Sequence, residues 1–530
     1  MNVMKKTSFL ISIALFMLLA ITACISDNDD NLLPINELEI KGIEETYVRV
    51  SNAETLEINV DLQASLTGKD TTQFEYLWFI SLKTKSGGDS LKVIGREKNL
   101  KYKVTDAPGT FNVFFRATDK QTGMQWEQLC RLTVVSPFVR GFYLFGDKED
   151  GSCGLDFISM IDEKDTTMIE DIWENKQSLK NAQNIVFTGG ADSHNTNLWG
   201  VAKGLSFAIE HSATLSSFQT IANTKVEDFI FPTIEVKKPL RVMNVFPHSY
   251  GSNNINLSRN SRVLLTEHEL FFTQIYGPPE AYGNPINTYS ASSSVLFEPA
   301  PFAFYQGNSS YPSTMAFYDK TNHRFVRLNG AYYAVSHCAK YNDSEDPFYL
   351  DQTKYTPVRN LIYGENGFGN QGRSYALMND IQGNLFIYCF LVKSYMANGI
   401  NKLMARTIDK AVATDIDKAT HFAFFSMQPV LLYSVGNQLW GYNYVQNKAK
   451  MLKQLNAQIT YLAMDYHSNE IPTDVIISTY DTKERGTIRK FTLEDDPNDM
   501  ILTEHSYKTK SYPWKTKLKV VKIEYRNSTL

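Results

Sequence analysis

Apolar and polar positions alternate most clearly along residues 430–452. One β-rich run, residues 430–435, meets the pair Gly436-Asn437, and a second run, residues 438–445, leads away. Glycine and asparagine tolerate the positive φ that a tight hairpin turn requires. Trp440, Tyr442 and Tyr444 share one face of the second run, as the two-residue period of a strand demands. After Gln446-Asn447-Lys448 a third short run begins, so the stretch reads as a meander. Weaker copies recur at residues 138–145, 198–209, 262–275, 314–328, 374–390 and 475–493. Turns are expected near Glu149, Lys203, Glu267, Thr321, Gln382, Asn437 and Glu484. The mean spacing of about 56 residues is somewhat above the roughly 40–50 of familiar propeller repeats. Seven evenly spaced meanders, without amphipathic helical patterns between most of them, predict a seven-bladed β-propeller over residues 138–530. The alternative, a second sandwich plus a barrel, is disfavoured by the even spacing.

Residues 518–525 form the last strand pattern, and its apolar phase switches at Val520-Val521. Such a switch marks a bulge or a strand covered on both faces. Pairing of this strand with the first blade would close the ring and remove its exposed edges.

Residues 37–137 carry a different pattern. Residues 56–62 alternate apolar and polar, and Tyr76, Trp78 and Ile80 share a face within residues 74–80. Pro108-Gly109-Thr110 then precedes the strand 111–118, Asp119 opens a turn that ends at Gly123, and residues 126–135 close the segment. About seven short strands in about 100 residues suit an immunoglobulin-like sandwich. The aromatic strand, the Pro-Gly-Thr-aromatic turn and the arginine-bearing strand ending in Thr118-Asp119 resemble the polycystic-kidney-disease (PKD) type of sandwich. The pattern is structural: Trp78 should fill the core, and Asp119 should bond backbone N–H groups of the turn that follows. Trp126 is expected to be buried as well.

Residues 1–23 read as an export signal, with Lys5 and Lys6 ahead of an apolar stretch too short to span a bilayer. Ile21-Thr22-Ala23-Cys24 resembles the lipobox of bacterial lipoproteins, which implies cleavage before Cys24 and acylation of that residue. Several acyl chains on one residue make a stable anchor. Asp27, Asp29 and Asp30 follow directly, within a tether over residues 24–36, and resemble the acidic export tag of Bacteroidota-type surface lipoproteins. The order of lipobox, acidic tag, PKD-type sandwich and propeller-length β region resembles the PKD-like family of Bacteroidota lipoproteins associated with SusC/SusD-type importers. That resemblance implies an outer-membrane lipoprotein facing the cell exterior, accessory to such an importer, with a glycan or a peptide as ligand.

Composition narrows this picture little. A formal net charge of −4 lacks the basic face that a nucleic-acid partner calls for. Aromatics at 13% suit either strands or a surface that stacks flat ligands. Beyond Cys24, Cys130, Cys153, Cys338 and Cys389 show no CxxC spacing and are expected to be buried thiols, so no zinc site is read.

No catalytic motif, metal site or cofactor is expected. Residues 367–372 match GxGxxG, but a strand and turn follow where a dinucleotide loop needs a helix. Ser336-His337-Cys338 places its nucleophiles on the opposite strand face from the histidine. Asp343, Ser344, Glu345, Asp346 and Asp351 lack the ordered spacing of a calcium loop. Ligand contacts are expected instead on loops around the third meander, where Tyr250, Tyr276, Tyr282 and Tyr289 stand among Gly, Asn, Ser and Pro, with Asn284 beside them. Tyrosine offers a stacking face and a hydroxyl, and asparagine a donor and an acceptor. Two other functions fit the same sequence, a propeller-fold hydrolase or lyase acting on glycans and a scaffold subunit with no ligand. Acidic or histidine side chains converging in a central pocket would favour the enzyme; exposed aromatics would favour the binder over the scaffold.

Overall fold

The computed structural model describes residues 35–527 apart from 53, 84–88, 139, 163–164, 176, 188–196, 204, 211–224, 249–261, 274–280, 310–313, 329–334, 394–398, 467–472, 495, 497–498 and 508–511. The signal, Cys24 and the acidic run lie outside the described residues, as do Tyr250 and Tyr276. The fold is all-β; the helices among the described residues are single 3-10 turns. Two compact units are present. One takes the chain up to Arg49, Glu54–Val104 and Thr110–Thr133; the other takes Val50–Ala53, Thr105–Gly109 and Val134–Leu530.

The first unit contains a five-stranded sheet in the order Thr46–Val50, Gln125–Val135, Gly109–Asp119, Phe74–Lys83, Asp89–Gly95. Two two-stranded sheets accompany it, Leu38–Lys41 with Asp61–Ala64 and Thr55–Ile58 with Leu100–Lys103. Trp78 is fully buried, its ring 4.8 Å from Phe115, and its Nε1–H donates to the Glu97 carbonyl at 3.1 Å. Asp119 accepts the N–H groups of Gln121 at 2.8 Å and Thr122 at 3.0 Å, as its place before the turn predicts. Trp126 departs from expectation. It is only half-buried, edge-on to Phe74, because its strand does not enter the core until Cys130.

Among the described residues the second unit is a succession of seven antiparallel sheets, propeller-like in its topology. Each of the last six begins with a leading strand: Ala182–Phe187, Val242–Phe246, Pro299–Phe304, Arg359–Asn366, His421–Phe425 and Gln458–Asp465. Later strands add outward from it in chain order. All seven expected turns fall in hairpins of these sheets. In the sixth sheet, Val430–Val435, Gln438–Asn443 and Lys448–Gln454 are the three runs of the meander, added to His421–Phe425.

The first sheet is different, because its leading strand comes from the far end of the chain. Lys519–Asn527 pairs antiparallel with Arg140–Asp147, which is followed by Cys153–Asp162 and Asp165–Ile169. The register slips where Phe145 faces Lys522 but Gly146 faces Val520, so Val521 is the bulged residue at the predicted phase switch. The slip lets Leu518 and Val520 on one side of it, and Ile523 and Tyr525 on the other, enter the same apolar cluster with Ile476, Ile488 and Trp514. The leading strands lie side by side in sequence, and Lys519–Asn527 lies between Gln458–Asp465 and Ala182–Phe187.

A recurring local device shapes the hairpins. Asp319, Asp380 and Asp481 each end the second strand of a sheet, and their carboxylates accept N–H groups of the turn. The acceptor distances are 2.9 Å from Asn322, 2.9 Å from both Gln382 and Asn384, and 2.7 and 2.6 Å from Lys483 and Glu484. These bonds satisfy turn donors that the ladder leaves unpaired.

The apolar face of Lys519–Asn527 should matter more than any single exposed side chain. Ile523→Ala should weaken the second unit by about 2–4 kcal/mol, the usual range for a buried large-to-small change. Ile381→Ala, at a turn residue 90% exposed, should stay within about 0.5 kcal/mol. Urea midpoints of the two variants check this; equal shifts would refute the packing role given to the strand.

Candidate functional site

Backbones of neighbouring leading strands approach one another where the sheets meet, and the side chains there enclose a cavity of about 210 Å³. Its lining comes from five leading strands and the residues just after them, with Phe142 and Ile476 from second strands. Aromatic walls are contributed by Phe142, Phe302, Tyr363, Tyr461, Tyr466 and Tyr525. Glu365, Glu524 and Lys522 line this space, with His248 just past the third sheet's leading strand. Sites that enclose a drug-sized ligand measure roughly 300–1,000 Å³. This cavity is smaller, so it fits one terminal group of a ligand and not an extended chain.

Glu365 is held by two close donors, with the Tyr466 hydroxyl, which bonds the Phe424 carbonyl at 2.9 Å, as a longer third contact. Its Oε2 accepts the Phe424 N–H at 2.7 Å and the Tyr363 hydroxyl at 3.0 Å, and Oε1 lies 3.3 Å from the Tyr466 hydroxyl. Burial pushes its carboxyl up to about 7, against the pull of those hydrogen bonds and of Lys522. Glu524 sits in a drier place, 6% exposed, and is also pushed up to about 7 by burial, with Lys522 opposing. Its Oε1 accepts the Phe187 N–H at 3.3 Å. That is its hydrogen bond among the described residues; Oε2 has no donor there.

Lys522 lines the cavity with its ammonium 5.8 Å from the Tyr461 ring centre, and the Tyr461 hydroxyl donates to the Ile523 carbonyl at 3.1 Å. Asp465 belongs to a buried ion cluster behind the cavity wall. Lys490 Nζ lies 2.8 Å from Asp465 and 3.0 Å from Asp474, and Asp474 also meets His505 at 3.2 Å and Thr492 at 2.8 Å. Burial alone would lower the lysine's pKa, but the two carboxylates raise it, so the ammonium stays charged.

The loop residues expected to grip a ligand have other duties. Tyr282 is a core residue, 1% exposed and packed with Val226, Leu240 and Phe271, and its backbone bonds Phe229 and Phe231. The Gly/Pro/Asn-rich composition of its segment concealed a ring that the third sheet buries. Tyr289 is half-buried, and its hydroxyl donates to the Asp319 carboxylate. Asn284 is exposed, with its amide engaged by Thr233 at 2.6 to 3.1 Å. None of the three lines the cavity. Glu365, Glu524, Lys522 and Tyr461 were missed. A trace of them is legible: Lys522, Glu524 and Arg526 alternate along one face of an otherwise apolar strand.

The remaining motifs are structural. Residues 367–372 link two strands, and Gly369 lies against Ser426, whose Oγ accepts its N–H at 2.9 Å. Cys338 is fully buried at the start of a strand, and Cys130, Cys153 and Cys389 are likewise buried free thiols. The Asp343 carboxylate accepts the N–H groups of Leu350 and Asp351 at 2.9 Å each and faces Lys402 at 3.6 Å.

Residues 28–182 match the model of the PKD-like family, a span running past the first unit into the first sheet of the second. No curated protein matches the chain. Among solved structures it is similar to a quinonprotein alcohol dehydrogenase-like protein from Bacteroides thetaiotaomicron, at 11% identity over 91% of this chain and 97% of that one, TM-score 0.33. It is also similar to the β-propeller domain of Cps50 (Swd1) from Myceliophteria thermophila, at 10% identity over 66% of this chain and 98% of that one, TM-score 0.35. At these scores neither relative's function transfers.

The raised carboxyl of Glu524 has a consequence for stability. Above the ordinary carboxylate range near 4.5 the unfolded chain loses this proton while the folded chain keeps it up to about 7. Its contribution is thus complete at low pH and is lost as pH rises from about 4.5 to 7, by at most about 3 kcal/mol. Glu524→Gln keeps the acceptor for Phe187 and should flatten that part of the stability profile. Thermal melts of both proteins at pH 5 and pH 8 test this, and parallel profiles would contradict it.

Proposed function

We propose that the seven sheets close into a seven-bladed β-propeller and that its axial cavity, not its loop face, binds ligand. In this reading the chain is an outer-membrane lipoprotein anchored through Cys24 and displayed on the cell exterior. It acts as an accessory nutrient-binding subunit of a SusC/SusD-type importer, taking a terminal group of a glycan or a peptide. One observation carries the binding part: a cavity lined by tyrosines and carboxylates sits where the leading strands converge. The pairing of Lys519–Asn527 with Arg140–Asp147 supports closure of the ring. The lipobox and acidic run support the address, with the PKD-like match over residues 28–182 beside them.

Catalysis is the second reading, favoured by two carboxyls near 7 in one cavity. A carboxyl pair working as acid and base needs both groups free to exchange protons with substrate. Glu365 is committed to Phe424, Tyr363 and Tyr466, which leaves Glu524 alone. Binding fits that inventory better.

Isothermal titration of the full-length chain with glycans and peptides tests the site. Glu524→Gln and Tyr461→Phe should weaken binding about tenfold, near 1.4 kcal/mol. Asn284→Ala, outside the cavity lining, should leave affinity unchanged. The opposite pattern would return the site to the loop face.

The anchor has its own test. Among the described residues no helix is long and apolar enough to cross a membrane. Cys24→Ala should therefore release the protein from the membrane fraction or hold it with its signal uncleaved. A signal-cleaved Cys24→Ala chain that still sediments with membranes would end the lipoprotein reading. Replacing Asp27, Asp29 and Asp30 by Ala should keep the lipid and reduce cleavage by externally added protease.

A further inference from the structure

The charges in the cavity do not balance at contact distance. Glu365 and Glu524 both line it, and Lys522 is the cation beside them. Lys522 makes no ion pair within 4 Å with either carboxylate among the described residues. Asp465 cannot borrow it either, being tied to Lys490. Lys490 in turn is shared with Asp474, which also meets His505 at 3.2 Å. Glu524 is the open position: it is 94% enclosed (6% exposed), its Oε1 holds the Phe187 N–H, and its Oε2 has no donor among the described residues. An uncompensated carboxylate in a dry site is costly, and a hydrogen-bonding cation is the partner that relieves it most. The walls agree with this, since the faces of aromatic rings attract cations.

From these contacts we infer that the axial cavity selects an organic cation, an ammonium or guanidinium group at the end of a ligand, which donates to Glu524 Oε2 beside the ring of Tyr461. The inference rests on the binding reading above and narrows its ligand class, favouring a basic amino acid, a peptide with a basic terminus or an amino sugar over a neutral glycan.

Protons compete for the same oxygen. Lys522 on its own strand and Tyr461 on Gln458–Asp465 act on Glu524, and Asp465, with Glu365 and Tyr363 on Arg359–Asn366, lines the same cavity. Tyr466 and His248 complete the set from the ends of their strands. Burial opposes the ionised form of Glu524, whereas Lys522 and the Phe187 N–H favour it. A cationic guest should therefore bind more tightly as pH rises from 6 to 8, while a neutral guest should not follow that trend.

The test is titration of the full-length chain with butylguanidinium, with glucose and acetate as neutral and anionic probes, read by calorimetry at pH 6 and pH 8. Butylguanidinium alone should bind, at least threefold tighter at pH 8. Glu524→Gln should lose tenfold or more while unfolding at or above the wild-type temperature. At pH 8, where Glu524 is ionised, Lys522→Met should bind the cation more tightly, because it removes a like charge. This last sign separates a cation site from a merely polar cavity. Binding of glucose or acetate in place of the cation, or weaker cation binding in Lys522→Met, overturns the inference; if that binding is lost in Tyr461→Phe, the cavity remains the ligand site. If no probe binds, and no glycan or peptide binds in the calorimetry above, the inference and the broader reading fall together.

Discussion

One strand pairing joins the fold to its candidate site. Lys519–Asn527 pairs with Arg140–Asp147, so the first sheet is built from both ends of the second unit. Without it Arg140–Asp147 would be a bare edge with Phe142 and Leu144 against solvent, the kind of edge that invites association. The same strand carries Lys522 and Glu524 into the cavity. The bulge at Val521 reconciles these two duties. In a strict two-residue period Lys522 and Glu524 would follow Leu518 and Val520 into the apolar cluster. With one residue inserted, Ile523 and Tyr525 take that face and the charged side chains take the other. A defect in the ladder thus selects which residues line the cavity.

Convergence of leading strands also explains why charge gathers at the cavity. Crowded backbones leave room there for side chains but little for bulk water, so a polar group must find its partners within the protein. Glu365 finds two close donors and a longer third contact, and Lys490 finds Asp465 and Asp474. Glu524 finds one, on one oxygen. Natural interiors rarely leave such a group half satisfied without a role for it. Glu365 and Glu524 are both pushed up by burial, and they differ in how many of their oxygens find a donor.

The sequence disclosed turns and strand period well and side-chain destinations poorly. The seven turn positions, the hairpin at Gly436-Asn437, the phase switch at Val520-Val521, and the roles of Trp78 and Asp119 all depend on local rules that the structure obeys. The Asp319, Asp380 and Asp481 turns obey them too, each with an aspartate at the end of a strand accepting N–H groups of the turn that follows. Tyr282 failed for another reason: a Gly/Pro/Asn-rich setting describes the backbone, and its ring went where the third sheet needed volume. The cavity was hidden because its residues are far apart in the chain. Glu365 and Glu524 stand on strands of different sheets and line one cavity only when those sheets are packed together.

Because fold and site share Lys519–Asn527, substitutions on that strand divide by face. Changes at Ile523 or Tyr525 remove packing from the cluster that holds Trp514 and Ile488, and any loss of binding they cause is a loss of structure first. Changes at Glu524 act through charge, since an isosteric amide retains the acceptor that Phe187 needs. Replacing an enclosed carboxylate by an amide removes a desolvation cost, so stability should hold or rise where binding falls. Stability and binding moving in opposite directions is the signature of a group kept for a ligand and not for the fold, consistent with the usual trade between function and stability at binding sites.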